Sequence, residues 1–270
     1  MPELPEVETF RRYFEKHAVG RKVLAVIVRD PRILDLATPT ALPRALKGRT
    51  FESVGRHGKH LFAETGRPPS LHLHFGMTGD LEAYAPGEEE PRFAKLILDF
   101  GSSRLAFMDA RLFGFVSLAE SLEAYVEERG LGLDALDRRL TPAAFASLLQ
   151  SRSGAIKSQL MNQEIVAGLG NLYVDELLFH TAVHPLTPPS TLSREELETM
   201  ARTMKQILNR VIRLHGRERD YPDEYLISHR HEGGACPKCG GEIARATVFG
   251  RTTYFCRSHQ RLVRKSKARR

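Results

Sequence analysis

Cysteine is scarce in this chain: three residues in 270, all between Cys236 and Cys256. So few and so crowded a set excludes a disulfide framework and points to metal instead. Long apolar runs are also missing. The longest, such as Val23 to Val28, are strand-sized, and no apolar h-region follows Met1. Neither a membrane span nor a secretory signal is indicated, and the cytoplasm is the default compartment. Internal repeats are absent, and the only low-complexity tract is a basic tail, Arg264 to Arg270.

What remains is an ordinary globular composition, 41% hydrophobic and 27% charged, enough for a real core and most simply divided into two domains. Lysine and arginine number 40 against 33 acidic residues, a formal charge of +7, which favours a polyanionic partner.

The opening Met1-Pro2-Glu3-Leu4-Pro5-Glu6 carries chemistry. Met1 precedes a small residue, so its removal is expected, leaving the secondary amine of Pro2 as the N-terminus. An α-amino group titrates near ~8, against ~10.4 for lysine, so far more of it is neutral and nucleophilic at pH 7. Its adduct with an aldehyde-level carbon is an iminium, an electron sink. Glu3 and Glu6 stand close enough to exchange protons beside it. The same residues also suit a plain helix start, with Val7, Phe10 and Phe14 at helical spacing and acidic side chains at the positive end of the dipole.

Strands are expected over Lys22–Arg29, Lys59–Glu64, Leu71–Phe75, Phe93–Phe100 and Arg104–Met108. In Leu71-His72-Leu73-His74-Phe75 apolar residues alternate with histidines, as in a strand with one open face, so an antiparallel, two-layered sheet is expected. From about Leu118 the pattern turns helical. Thr141-Pro142 starts one helix, and Ser193 with Glu196 forms the capping box of another. The stripe Leu197, Met200, Met204, Ile207, Val211 and Leu214 makes the latter amphipathic, with its arginines and lysines on the solvated side.

The strongest local signal is Cys236-Pro237-Lys238-Cys239, sixteen residues, then Cys256-Arg257-Ser258-His259. Two ligand pairs at this spacing match a closed tetrahedral zinc site stapling a small hairpin. Arg251 lies near the hairpin tip, at Phe249-Gly250. Gly168-Leu169-Gly170-Asn171 lies between helical runs Ala155–Met161 and Leu172–Phe179. It reads either as a connection with Asn171 as N-cap or as a phosphate cradle helped by Lys157.

Taken together, the N-terminus, Arg56-His57-Gly58-Lys59, His74-Phe75-Gly76-Met77-Thr78-Gly79, Asp109-Ala110-Arg111-Leu112-Phe113-Gly114, the turn ending at Asn171 and the cysteine hairpin follow one order. The combination resembles the formamidopyrimidine-DNA glycosylase and endonuclease VIII family of base-excision enzymes, the former branch most. The resemblance implies an α+β fold. Residues 1–118 would form a β-sandwich with flanking helices, 119–134 a linker and 135–225 a helix-two-turn-helix domain. A zinc hairpin at 226–263 and the tail at 264–270 would follow. It further implies a monomer acting on damaged double-stranded DNA near the nucleoid, with one structural zinc on Cys236, Cys239, Cys256 and His259.

Catalysis would fall to Pro2 as nucleophile, Glu3 as acid, Glu6, Lys59 and Arg251. DNA contacts would come from Met77, Arg111 and Phe113 as the wedge filling the place of a flipped nucleotide, and from Arg92, Lys157 and Asn171. The implied activity is excision of 8-oxoguanine or formamidopyrimidine bases and strand cleavage by β,δ-elimination. Departures from the family pattern are His259 for a usual cysteine, Arg92 for a frequent histidine, Leu112 for a frequent arginine, and only nineteen residues between Gly216 and Cys236, where relatives carry a longer base-closing loop. Oxidised pyrimidines or bulkier lesions, or damaged-DNA binding without turnover, therefore stand as alternatives.

Overall fold

The computed structural model describes residues 2–35 and 37–263; the expected loss of Met1 and the basic tail at 264–270 lie outside the described residues. The chain divides into two compact units, 1–130 and 131–270.

The first unit begins with helix α1, Leu4–Ala18, whose Val7, Phe14 and Ala18 are buried. Its strands are β1 Ala25–Val28, β2 Ser53–His57, β3 His60–Glu64, β4 Ser70–His74, β5 Gly79–Tyr84, β6 Ala94–Asp99, β7 Arg104–Asp109 and β8 Phe115–Ala119, with the short helix α2, Ala41–Leu46, between β1 and β2. Two four-stranded antiparallel sheets form, ordered β1-β6-β7-β5 and β2-β3-β4-β8. Leu61, Leu73 and Val116 from one sheet and Leu81, Leu96, Leu98, Leu105 and Phe107 from the other join one core with α1. The unit is therefore the expected two-layered sandwich.

The open face expected for β4 is not open. Helix α3, Leu122–Glu128, lies in the segment expected to be a linker and packs on β2 and β8. Its Tyr125 ring lies 4.4 Å from His72, which is fully buried. The outward rows of the sheet are His60-His74-Phe115 and Phe62-His72-Ser117. His72 bonds His60 Nδ1 at 3.0 Å and Ser117 Oγ at 2.8 Å, and its ring stacks on Phe62. Histidines alternate here because a polar, hydrogen-bonded second core sits beneath α3.

That core is sensitive to acid. Burial, reinforced by the neighbouring His74 and Arg129 charges, pushes His72 down to about 3, and burial with Lys59 pushes His74 to about 4. His60 is lowered too, again by burial first. Folded values below the unfolded ~6.5 mean that the unfolded chain binds more protons below that pH. The stabilisation is thus complete above pH ~6.5 and is lost on acidification towards 3–4. At pH 5 the loss is roughly 2 kcal/mol for each histidine held neutral. Urea midpoints at pH 7 and pH 5 should show it, with a shallower decline in His74→Phe; an unchanged slope in that variant would remove His74 from the account.

The second unit carries β9 Leu133–Asp134, α4 Pro142–Leu149, α5 Ile156–Met161, β10 Val166–Ala167, α6 Asn171–His180, α7 Arg194–Arg213, β11 Ile243–Val248 and β12 Arg251–Cys256. The capping box of Ser193 and Glu196 opens α7 as expected, and Leu197, Met200, Met204, Ile207 and Val211 of its stripe are buried, while Leu214 is the half-buried C-cap. Strands β11 and β12 form the terminal antiparallel hairpin. Among the described residues no helix is long and apolar enough to cross a membrane.

Candidate active site and nucleic-acid interface

Glu3 caps α1, and its backbone N–H donates to Glu6 Oε2 at 2.8 Å, so Glu6 serves as one arm of a capping box. Glu3 is buried, 1% exposed, and directly follows Pro2 in the chain. Lys59 follows Gly58 at the turn between β2 and β3. Arg56 ties that turn to α1: its Nε donates to Glu8 Oε2 at 3.2 Å and its Nη1 to the Gly58 carbonyl at 2.9 Å. Glu8 is further held by Arg11 and Arg12. Its carboxyl lies below the usual range even though burial, the largest influence, raises it; the three arginines outweigh that effect. The helix bearing Pro2, Glu3 and Glu6 and the turn bearing Lys59 thus share one anchor, which motif reading passed over.

Two further loops are welded together. Asp109, fully buried, accepts from Thr78 Oγ1 at 2.5 Å, from the Arg111 N–H at 3.1 Å and from the Gly114 N–H at 2.7 Å. A Cβ on Gly76 would come within 2.2 Å of the Phe113 backbone, so only glycine permits this approach. The result brings Met77 and Phe113 out, 39% and 54% exposed, with the Arg111 guanidinium 4.8 Å from the Phe113 ring centroid. Large apolar side chains held outward by a buried carboxylate are not core residues. Arg92, on another loop, lies over the Phe93 ring at 4.7 Å.

In the second unit Gly170, not Asn171, caps α6, because Asn171 is already the first helical residue. Asn171 Nδ2 donates to the Thr252 carbonyl at 2.9 Å, next to Arg251 at the start of β12. Lys157 is not the surface point charge expected: it is 1% exposed, and its Nζ donates to Asp175 Oδ1 at 2.6 Å and Thr253 Oγ1 at 2.7 Å. Asp175 neutralises the ammonium, so Lys157 fastens the hairpin to α6. Asp175 also accepts from Arg230 at 2.8 Å and the Tyr254 N–H at 3.1 Å. The adjacent Glu176, equally buried, accepts from the Leu226 and Ile227 N–H groups. Two successive carboxylates inside an apolar helix were the available signal for this network.

The sulfurs of Cys236, Cys239 and Cys256 lie within 4.8 Å of one another. Burial pushes the Cys256 thiol up to about 11, so a thiolate there needs a cation, and a soft or borderline divalent ion suits the set. His259 is not part of this group. Its Nε2 meets the Phe179 carbonyl at 2.9 Å, and since a carbonyl only accepts, Nε2 is the donor, which leaves Nδ1 as the nitrogen turned away from this bond. A ligating histidine is commonly oriented this way.

Residues 1–116 match the formamidopyrimidine-DNA glycosylase N-terminal domain, and residues 131–221 match the formamidopyrimidine-DNA glycosylase H2TH domain. A sandwich whose first helix is led by Pro2-Glu3, followed by an H2TH domain, defines a DNA glycosylase of the H2TH class. The chain is 36% identical to the formamidopyrimidine-DNA glycosylase of Gluconobacter oxydans, over 97% of this chain and 100% of that one. It is 35% identical to the Xanthomonas campestris enzyme of that name at the same coverages. The crystal structure of Lactococcus lactis formamidopyrimidine-DNA glycosylase, non-covalently bound to DNA containing an AP site, matches with TM-score 0.86 at 30% identity, covering 96% of this chain and 99% of that one. The chain belongs to the formamidopyrimidine-DNA glycosylase family.

Proposed function

We propose that this protein is a bifunctional DNA glycosylase and AP lyase that removes oxidised purines from duplex DNA. The observation that carries the reading is the Pro2-Glu3 pair at the head of α1, with Glu3 buried and the Lys59 turn anchored to the same helix through Arg56. Pro2 nitrogen attacks C1′ of the damaged nucleotide, the C1′–base bond breaks, and Glu3 gives its proton to the ring oxygen or departing base. The resulting iminium acidifies the C2′ proton, whose loss expels the 3′-phosphate; a second elimination expels the 5′-phosphate. Met77, Arg111 and Phe113 fill the space of the extruded nucleotide. Lys59, Arg92, Asn171 and Arg251 hold phosphates, while Lys157 acts on the hairpin's position. Cys236, Cys239, Cys256 and His259 hold one structural zinc, and the protein acts as a monomer in the cytoplasm. Support for the lesion class comes from similar proteins solved with Fapy-dG or carbocyclic 8-oxo-G DNA.

A second lesion preference, oxidised pyrimidines or bulkier bases, is favoured by the segment 217–235. Leu226, Ile227 and Arg230 are pinned to α6 by Glu176 and Asp175, which leaves little chain for a base-covering loop. A cleavage panel of duplexes, each with one defined lesion, separates the two preferences. For the chemistry itself, borohydride should trap a covalent protein–DNA complex through Pro2, in protein lacking Met1 by mass spectrometry. Pro2→Gly should trap more slowly, since a primary amine still condenses. Failure of the wild type to trap would leave a damaged-DNA-binding protein without turnover.

A further inference from the structure

We propose that Phe249, at the tip of the cysteine hairpin, contacts damaged duplex DNA, its ring packing on a deoxyribose or base face beside the phosphate held by Arg251. The proposal rests on the glycosylase reading above and adds to it a residue that the motifs do not contain. Val248 pairs with Arg251, so Phe249 and Gly250 are the two residues of a tight hairpin turn, with φ of 48° and 69°. Turns with both central residues in the left-handed region favour Asn-Gly. Gly250 obeys that preference and Phe249 breaks it, because its Cβ crowds the following carbonyl.

Phe249 breaks a second rule. It is 69% exposed, more than any other large hydrophobic residue among those described. Phe93 and Phe113 are also exposed, yet each has an arginine over its ring at 4.7–4.8 Å. Among the described residues no ring or guanidinium lies against Phe249. Two local conflicts at one position of an otherwise well-paired hairpin mark a site kept for function rather than folding.

The surroundings say what covers it. Arg245, Arg251 and Arg257 make the hairpin basic, which suits a polyanion, while an aromatic face suits a sugar or an unstacked base; DNA supplies both. The tip is also presented from a fixed base, since Asn171 holds the Thr252 carbonyl and Lys157 holds Thr253.

The test is Phe249→Asn, which restores the preferred turn, beside Phe249→Trp, which keeps an aromatic face. Affinity for a duplex with a tetrahydrofuran abasic analogue should weaken about tenfold in the asparagine variant and stay near wild type in the tryptophan variant. The salt dependence should not change, because no phosphate contact is lost, whereas Arg251→Gln should lower the salt slope by about one. Metal content and thermal midpoint of Phe249→Asn should equal or exceed wild type. Wild-type affinity in Phe249→Asn, or equal weakening in both variants, would overturn the proposal, leaving the ring to a protein contact or to the turn alone. A wild type that does not prefer lesion DNA over intact duplex would instead sink the glycosylase reading.

Discussion

Glu3→Gln is expected to slow base excision by about 10²–10⁴-fold, the usual contribution of a positioned acid. Strand cleavage at a preformed abasic site should fall much less. The two substrates ask different things of the residue. An intact nucleotide needs a proton on the departing base or ring oxygen as the C1′ bond breaks, and glutamine has none to give. An abasic site has already lost its base and presents an open aldehyde with which the Pro2 amine condenses unaided. The helix start should survive the change, because the Glu3 backbone N–H keeps its bond to Glu6 Oε2 and a glutamine side-chain oxygen can still accept from the Glu6 backbone N–H. Single-turnover rates on both substrates read the difference. Equal losses on the two would mean that Glu3 positions the N-terminus instead of donating a proton.

What the sequence disclosed was local, and what it hid was decided by distant neighbours. The cysteine cluster, the Ser193 capping box and the Pro2-Glu3 opening are motifs whose chemistry lies within a few residues, so the local sequence was enough to find them. Of the strands not expected, β2 (Ser53-Val54-Gly55-Arg56-His57) lacks an alternating apolar face of its own and is a strand through its pairing with β3, whereas β5 does alternate, Leu81 and Ala83 against Asp80 and Glu82, and β8 is a short apolar run interrupted by Ser117. The His72 and His74 alternation was visible, but its partner, α3, comes about fifty residues later, so burial could not be read from the strand. Asp109 was visible only as part of a motif. That its carboxylate closes the loop of Arg111 and Phe113 follows from Thr78, thirty-one residues earlier. Lys157 is the sharpest case, since a lysine on a short helix reads as surface until Asp175 and Thr253 are placed beside it.

Asp175→Ala should destabilise the second unit by about 3–5 kcal/mol, the cost of breaking a buried ion pair by removing one partner. The loss is larger than a surface bridge would give because Lys157 is 1% exposed and would be left as an uncompensated charge. It is also directional. Asp175 holds Arg230 and the Tyr254 N–H as well as Lys157, so one carboxylate joins α6 to β12 and to the 226–230 segment. Thermal unfolding should shift down, and limited proteolysis should open the hairpin before the rest of the chain. DNA affinity should fall with it, since Arg251 and Phe249 are carried by that hairpin. The double variant Lys157→Met with Asp175→Leu should recover part of the stability, because the buried charge leaves together with its partner. Arg230, with 18% of its side chain exposed, can turn to water. A single variant within 1 kcal/mol of wild type, or a double variant no more stable than the single, would show that the hairpin is held by its cysteines and apolar contacts and not by this carboxylate.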